Sequence, residues 1–150
     1  TILMAWASGL EQFDELGADL CDGVYFGAQY WHTVDTPLNK DLVKRTADKL
    51  KIVPNYSLAG SYICTKILID GIVKAGTVDP KAVVAALEGM KFDGLTGVEE
   101  IRKADHQVIK DYYLLKGKAK SKMANPADYV DVVSSGKSFL PIDKTGCKLA

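Results

Sequence analysis

Residues 2–31 have the sequence ILMAWASGLEQFDELGADLCDGVYFGAQYW, and this stretch decides the class of the fold. Residues 2–7 form a short apolar run that is typical of a buried parallel strand, and Ser8-Gly9 ends it. Apolar residues then recur at helical spacing, which predicts a short amphipathic helix that ends at Gly17. Residues 23–31 are aromatic and β-branched and predict a second strand. A strand, a helix and a strand in about 30 residues predict a right-handed βαβ unit and a parallel sheet.

The longest helix is expected at residues 56–75, where apolar residues are interrupted by a single charged stripe. The stripe consists of residues four apart: Lys66, Asp70 and Lys74. Because nearly everything else in the segment is apolar, this helix is expected to be mostly buried. Asp79-Pro80 predicts another helix, with Asp as N-cap and Pro in the first turn. Residues 32–40 are expected to form a loop, followed by a helix over residues 41–51.

The remainder of the chain is less regular. Residues 92–97 predict a turn, and residues 98–102 and 108–115 are candidate strands. Residues 123–150 mix Pro, Ser and Gly and are expected to form an irregular tail. The elements together predict an α/β fold.

The composition excludes several classes of protein. The chain has 150 residues, 47% of them hydrophobic, and no net charge. A balanced charge offers no general attraction for nucleic acid, and no apolar stretch approaches the roughly 18 residues of a membrane span. The chain opens on an apolar strand without an initiator Met or a signal peptide, which is expected of a processed or truncated product.

The three cysteines lack the spacing of a zinc site. Cys64 falls in an apolar helical pattern and is expected to be a core thiol. Cys147 near the C-terminus has two interpretations, a disulfide that anchors the tail or a free thiol.

Catalytic motifs are not evident. His32 and His106 both lie in predicted loops, and Asp105 is the direct neighbour of His106 in sequence, so the two side chains are not expected to face each other. Gly94 and Gly97 form only a GxxG pattern, which marks a turn more often than a phosphate site. We therefore expect no catalytic residues, no metal, no cofactor and no enzymatic activity.

Several segments resemble the Leu/Ile/Val-binding family of type I periplasmic solute-binding proteins, which serve ABC importers. Residues 56–62 (YSLAGSY), the long helix after them and the helix at Asp79-Pro80 resemble the family's helix pair. Residues 17–23 (GADLCDG) are similar to its approach to a strand. Residues 94–97 (GLTG) are similar to its turn, although Val98 stands where proline is usual.

The resemblance implies a three-layer, parallel-sheet sandwich in two lobes, of which this chain would be a C-terminal fragment. Residues 1–35 would belong to lobe 2 and residues 36–97 to lobe 1. Residues 98–150 would supply a lobe 2 strand and the C-terminal tail. The N-terminal portion of the same protein would be missing, and the location would be periplasmic.

Candidate ligand-binding residues follow the first strand and open the longest helix. Trp6, Ala7, Ser8 and Gly9 lie where the strand ends, and ligands of such folds bind outside the carboxyl ends of parallel strands. Gly9 allows close backbone approach, while Ser8 and free N–H groups at the helix start can donate to a ligand oxygen. Tyr56 is placed at the cleft by resemblance. A plain strand–helix turn and ordinary packing of Tyr56 are the alternative interpretations.

The residue at position 6 bears on the ligand. By resemblance, the family's amino-acid binders place a carboxylate there to hold the ligand's ammonium, which Trp6 cannot do. The ligand is therefore expected to be an aromatic or apolar acid or amide more than a free amino acid, and a quaternary amine held by cation–π attraction to Trp6 is the alternative. The leading function is capture of a small solute and its delivery to an ABC permease. The alternatives are a ligand-sensing regulator or receptor domain of the same fold and a flavodoxin-like enzyme.

Overall fold

The computed structural model describes residues 4–6, 9–137 and 139–149. The helices are α1 (Leu10–Leu16), α2 (Ala18–Cys21), α3 (Pro37–Leu50), α4 (Tyr56–Ala75), α5 (Pro80–Leu87) and α6 (Ile142–Thr145), with a 3-10 turn at Lys120–Lys122. The strands are β1 (Met4–Trp6), β2 (Tyr25–Ala28), β3 (Lys91–Gly94), β4 (Gly97–Ile101), β5 (Val108–Ile109), β6 (Tyr112–Gly117) and β7 (Val130–Gly136). The described strands form two separate sheets.

The first sheet has four strands in the order β1-β2-β6-β7. β1 and β2 run parallel, with Trp6 opposite Gly27, and α1 and α2 connect them, so the predicted βαβ unit is confirmed. β6 pairs antiparallel with β2, and β7 pairs antiparallel with β6. Among the described strands, parallel pairing is therefore confined to β1 and β2. We call this sheet with α1 and α2 the four-stranded unit.

Aromatic side chains form the core of the four-stranded unit. Phe13 on α1 is fully buried, and its ring centroid lies 4.6 Å from that of Phe26 and 5.5 Å from that of Trp31. The ring of Tyr129 stacks on Phe13 from the side of the C-terminal region, also at 5.5 Å. Aromatic pairs of this kind add about 0.5–1.5 kcal/mol each beyond the burial of area, so they hold α1 firmly on the sheet.

A second sheet packs with the three longer helices. It has the order β3-β4-β5, and both pairs are antiparallel. A turn joins β3 to β4, and Gly97 there has a φ of 109°, a conformation that side chains disfavour. Side chains cap all three helices at their N-termini: Thr36 for α3, Asn55 for α4 and Asp79 for α5. We call α3–α5 with this sheet the helical unit.

Within the described residues, two crossings connect the elements of the two units, and the segment after β7 contacts the helical unit again, where Lys137 donates to the Val98 carbonyl and Arg102 donates to the Leu140 carbonyl. Trp31 packs in the core of the four-stranded unit, whereas its neighbour Tyr30 packs with Leu42 and Leu95 in the apolar cluster of the helical unit. The first crossing is therefore the segment of residues 29–36. The second is the pair of residues 110–111, which separates β5 in one sheet from β6 in the other.

α4 has the predicted bounds but not the predicted burial. It begins at Tyr56 and ends where Gly76 adopts the left-handed conformation. Its buried residues are Ala59, Ile67 and Gly71. Three of its large apolar side chains are more than half exposed: Leu68, Ile69 and Val73. The expectation of a mostly buried helix is therefore wrong, because one apolar side of α4 faces solvent.

Three predicted boundaries are also wrong. The loop expected at residues 32–40 ends earlier, because Thr36 caps α3 and Pro37 occupies its first turn. The strand expected at residues 108–115 is two strands, β5 and β6, in different sheets. Residues 123–150 were expected to be irregular, yet they contain β7, which is held by its pairing with β6.

The cysteines are all free thiols in the structure. Cys21 is buried, whereas Cys64 and Cys147 are exposed. The expectation of a core thiol at Cys64 is wrong, because that residue lies on the solvent side of α4. None of the described helices is both long and apolar enough to cross a lipid bilayer.

Candidate ligand-binding site

The structure brings together two segments that carry predicted site residues. Trp6 is the last residue of β1, and Gly9 directly precedes α1. Ala7 and Ser8 lie outside the described residues. Tyr56 is the first residue of α4, in the other unit. The turn after β1 and the start of α4 thus face each other across a closed cleft between the units, and the residues around it leave no space for even a water-sized molecule.

Gly9 and Tyr56 are in direct contact across this cleft. A Cβ atom placed on Gly9 would lie 2.7 Å from Cδ1 and 2.8 Å from Cε1 of the Tyr56 ring. Such distances are shorter than van der Waals contact, so a side chain at position 9 would displace the ring. Gly9 is extended, with φ −123°, and glycine is therefore required there for space and not for backbone conformation.

The N–H of Gly9 is already engaged. It donates to Oε1 of Gln12 at 2.6 Å. Gln12 lies one turn into α1 and folds back over its start, as a residue at that helical position commonly does. The N–H groups at the start of α1 were expected to be free to donate to a ligand, and the N–H of Gly9, directly before that helix, is not among the free ones.

Asn55 is a cleft residue that the sequence interpretation missed. Its Oδ1 accepts a hydrogen bond from the Leu58 N–H at 2.8 Å and caps α4. Its Nδ2 donates to Oε1 of Glu11 on α1, in the other unit. An asparagine directly before a long helix is a recognisable N-cap, and that signal could have identified the first role. The second role depends on the tertiary fold.

Aromatic side chains line the cleft beside Gly9 and Tyr56. Tyr30, Trp31 and His32 come from the first crossing. The rings of Trp31 and His32 lie 5.1 Å apart. Burial lowers the pKa of His32, and the carboxylate of Asp128 opposes this shift. A neutral imidazole is thereby favoured, and this side of the closed cleft is mainly aromatic, with Tyr30 and Trp31 buried.

A buried polar network holds the second crossing against the turn between β3 and β4. Both the N–H and the hydroxyl of Thr96 donate to Oε1 of Glu99, at 3.0 and 2.9 Å. The same hydroxyl accepts from the N–H of Asp111 at 3.2 Å. Glu99 is only 2% exposed, so its carboxylate depends on these donors.

Lys110 ties the two crossings together. Its Nζ donates to the carbonyl oxygen of Gln29 at 2.7 Å, 81 residues away in sequence. Burial lowers the pKa of Lys110, and the charge of Glu99 opposes this. Burial also raises the pKa of the neighbouring Tyr113 to about 12, with a contribution from Asp111. The crossings therefore meet in a desolvated region where charge is balanced locally.

The histidine with an acidic neighbour has a structural role. Asp105 accepts two hydrogen bonds from Arg102, at 2.8 and 2.6 Å, and these lower its pKa. His106 instead contacts Glu88, with Nε2 3.1 Å from Oε1. Asp105 and His106 thus have different partners, as expected of sequence neighbours. Within the described ranges, no three potential metal-ligating side chains come together.

The chain matches a protein family and several solved structures. Residues 1–122 match the family of periplasmic binding proteins. An amino acid ABC transporter substrate-binding protein from Pseudomonas fluorescens Pf-5 is 51% identical, with a TM-score of 0.95, over 99% of this chain and 40% of that chain. A periplasmic binding protein from Burkholderia mallei is 25% identical, with a TM-score of 0.77, over 85% of this chain and 34% of that one. No curated protein matches the chain.

A more distant structure shows a likeness of fold alone. It is a solute-binding protein of an ABC transporter from Rhodopseudomonas palustris BisB5, solved with 3,4-dihydroxybenzoic acid. It is 18% identical, with a TM-score of 0.69, over 79% of this chain and 32% of that one. This chain thus spans 32–40% of the length of these three relatives.

These likenesses confirm the predicted fold class, the type I periplasmic binding protein fold, present here in part. The relatives are substrate-binding proteins rather than enzymes. Because the family match extends over well more than half of its residues, the chain belongs to the periplasmic binding protein family.

Proposed function

We propose that this chain is part of a two-lobed protein that captures a small organic solute in the periplasm and delivers it to an ABC permease. Family membership and the 51% identity to an ABC transporter substrate-binding protein support this. The observation that carries the proposal is the contact of Gly9 with Tyr56, because these residues come from two separately packed units and meet at one cleft.

In this proposal the four-stranded unit belongs to lobe 2 and the helical unit to lobe 1. The proposed boundary near residue 35 falls within the first crossing, residues 29–36. The pairing of β4 and β5 with β3 favours a second boundary at residues 110–111 rather than after residue 97. An N-terminal portion of the same protein would complete both lobes, which is supported by the 40% coverage of the Pseudomonas relative.

The proposed ligand has an oxygen-bearing polar end and an apolar or aromatic body. Trp6, at the end of β1, would cover the body, and stacking on its ring adds about 0.5–1.5 kcal/mol beyond burial of area. Ala7 and the hydroxyl of Ser8 would approach the polar end. Tyr56 would close over the ligand from the other lobe, opposite Gly9. A primary ammonium would fit poorly, because it requires directed acceptors.

A thermal-shift screen followed by calorimetric titration tests this ligand class. The full product of the gene is screened against leucine, valine, aliphatic amides and aromatic acids such as 3,4-dihydroxybenzoate. Stabilisation by acids or amides with an apolar body is expected. Tight binding of leucine or valine without any response to the others would contradict the proposed role of Trp6, as would a Trp6→Ala variant with unchanged affinity.

A pair of tyrosine variants tests the location of the site. Tyr56→Ala is expected to weaken binding of the solute found in the screen about tenfold, which corresponds to about 1.4 kcal/mol. Tyr62→Ala is the matched control, because Tyr62 also lies on α4 and packs partly against the same apolar cluster. Equal losses in the two variants would place the binding site elsewhere.

A further inference from the structure

A hydrogen bond joins the two units at the cleft. Nδ2 of Asn55 donates to Oε1 of Glu11, and the two residues are 44 positions apart in sequence. Glu11 belongs to the first turn of α1 in the four-stranded unit, and Asn55 directly precedes α4 in the helical unit. Because its partners belong to different units, the bond depends on how the units are placed relative to each other.

The amide of Asn55 combines two roles. Its Oδ1 caps α4 through the Leu58 N–H, and this bond orients the amide so that Nδ2 can donate. Asp79 and Thr36 cap α5 and α3 in the same way. An ionised aspartate at position 55 would cap α4 equally well, but it has no hydrogen to donate to a carboxylate. Asparagine is thus a cap that also supplies a donor to Glu11.

The bond lies beside the contact that defines the candidate site. Asn55 directly precedes Tyr56, and Oε2 of Glu11 lies 2.7 Å from the position that a Cβ of Gly9 would occupy. The carboxylate, the Gly9 backbone and the tyrosine ring are therefore packed around one point. Loss of the hydrogen bond would free the start of α4 to move away from the start of α1.

We propose that Asn55 and Glu11 form a positioning pair that holds the Tyr56 ring over the Gly9 turn and stabilises the closed arrangement of the two units. The pair acts on ligand capture through Tyr56, and in that respect the inference rests on the proposed function. Its effect on the arrangement of the units is independent of any ligand.

Asn55→Asp separates the bridge from the helix cap. It retains the cap on α4 and places a second carboxylate against Glu11, so the bond is replaced by repulsion. Adding Glu11→Gln restores a bond of reversed polarity, in which the glutamine amide donates to the aspartate. Ser57→Asp is the control, because it adds the same charge to an exposed position in the same helical turn.

The measurement is the distance between the units in the full gene product without ligand. Spin labels are placed on Asp22→Cys and Lys81→Cys, two exposed positions, in a background with Cys64→Ser and Cys147→Ser. The ratio of closed to open populations is expected to fall about threefold or more in Asn55→Asp. It is expected to recover in the double variant and to change little in Ser57→Asp.

Three outcomes would overturn the inference: an unchanged ratio in Asn55→Asp, no recovery in the double variant, or an equal loss in Ser57→Asp. Thermal unfolding of each variant checks that it folds. If Asn55→Asp does not fold, Glu11→Asp is used instead, because it shortens the acceptor side chain without changing α4. This variant must then lower the ratio of closed to open populations. Because the samples contain no ligand, failure to find a solute would contradict the proposed function without affecting this result.

Discussion

The two units differ in how completely their apolar residues are buried. In the four-stranded unit, Phe13 and Leu115 are fully buried between α1 and the sheet. In the helical unit, α4 is the most extended apolar segment, yet Leu68, Ile69 and Val73 are 52%, 54% and 75% exposed. The unit with the less apolar helix therefore has the more complete core.

This difference shows that the burial of an apolar helix depends on which elements pack against it. α1 is covered by a sheet whose strands come from both ends of the described chain. α4 packs mainly against α5, where Leu87 fits against Gly71. In the proposed two-lobed protein, the exposed side of α4 would be covered by the portion of lobe 1 that is not in this chain.

The largest expected effect tests the difference in apolar burial between the two units. Phe13→Ala is expected to lower the free energy of unfolding by about 3–5 kcal/mol, because it empties the centre of an aromatic cluster. In the 150-residue chain without the rest of lobe 1, Leu68→Ala on the exposed side of α4 is expected to change the free energy of unfolding by less than about 1 kcal/mol. Urea unfolding followed by circular dichroism measures both. Comparable losses would show that the side chain of Leu68 is covered in solution.

The second test addresses the polar network at the second crossing. Thr96→Val removes a hydroxyl that donates to buried Glu99 and accepts from Asp111, which is expected to destabilise the protein by about 1–3 kcal/mol. The control is Thr65→Val, since Thr65 is exposed and its hydroxyl donates to the Ser61 carbonyl within α4. If both substitutions have the same effect in urea unfolding, the network does not stabilise the crossing.

The third test compares two glycines with opposite surroundings. Gly9→Ala drives a methyl group into the Tyr56 ring and is expected to destabilise the protein by about 1–3 kcal/mol. Gly60→Ala, within α4, meets no atom within 4 Å and is expected to stabilise it by about 0.5–1 kcal/mol. Thermal unfolding shows whether each substitution raises or lowers the stability of the protein. A neutral Gly9→Ala would mean that the units stand apart in solution.

The smallest expected effect concerns pH. Because burial lowers the pKa of His32, the unfolded chain binds a proton more readily than the folded chain below about pH 6.5. The free energy of unfolding is therefore expected to fall as the pH drops through that value, until the folded form also protonates. His32→Gln should flatten this part of the profile. A wild-type profile that is flat between about pH 5 and 7 would contradict the burial of His32.

Local chemistry was enough to predict several elements of the fold. The bounds of α4 were predictable because an uninterrupted helical pattern ends at a glycine, and Gly76 indeed caps it. The start of α5 was predictable from Asp79-Pro80, a cap followed by a residue with its φ already helical. β7 was missed, because six of its seven residues are exposed and its order comes from pairing with β6.

The candidate site shows the same division. Gly9 and Tyr56 were identifiable in sequence, one as a glycine after a strand and the other by resemblance at a helix start. Their contact was not predictable from spacing, because they are 47 positions apart and the packing of the two units sets the distance between them. The hydrogen bonds from the Gly9 N–H to Gln12 and from Asn55 to Glu11 were also not predictable from the sequence, because each depends on the direction of a side chain.

The sequence by itself determined the α/β class, the family, the βαβ unit and the N-cap of α5. Each of these depends on contacts within a few residues or on the order of segments along the chain. Only the tertiary structure decided the pairing of β6 and β7, the exposed side of α4 and the cleft shared by Gly9, Asn55 and Tyr56. The reason is physical: the burial of a side chain and its hydrogen-bond partners are set by residues distant in sequence. A local sequence pattern does not show which of those residues will pack against it.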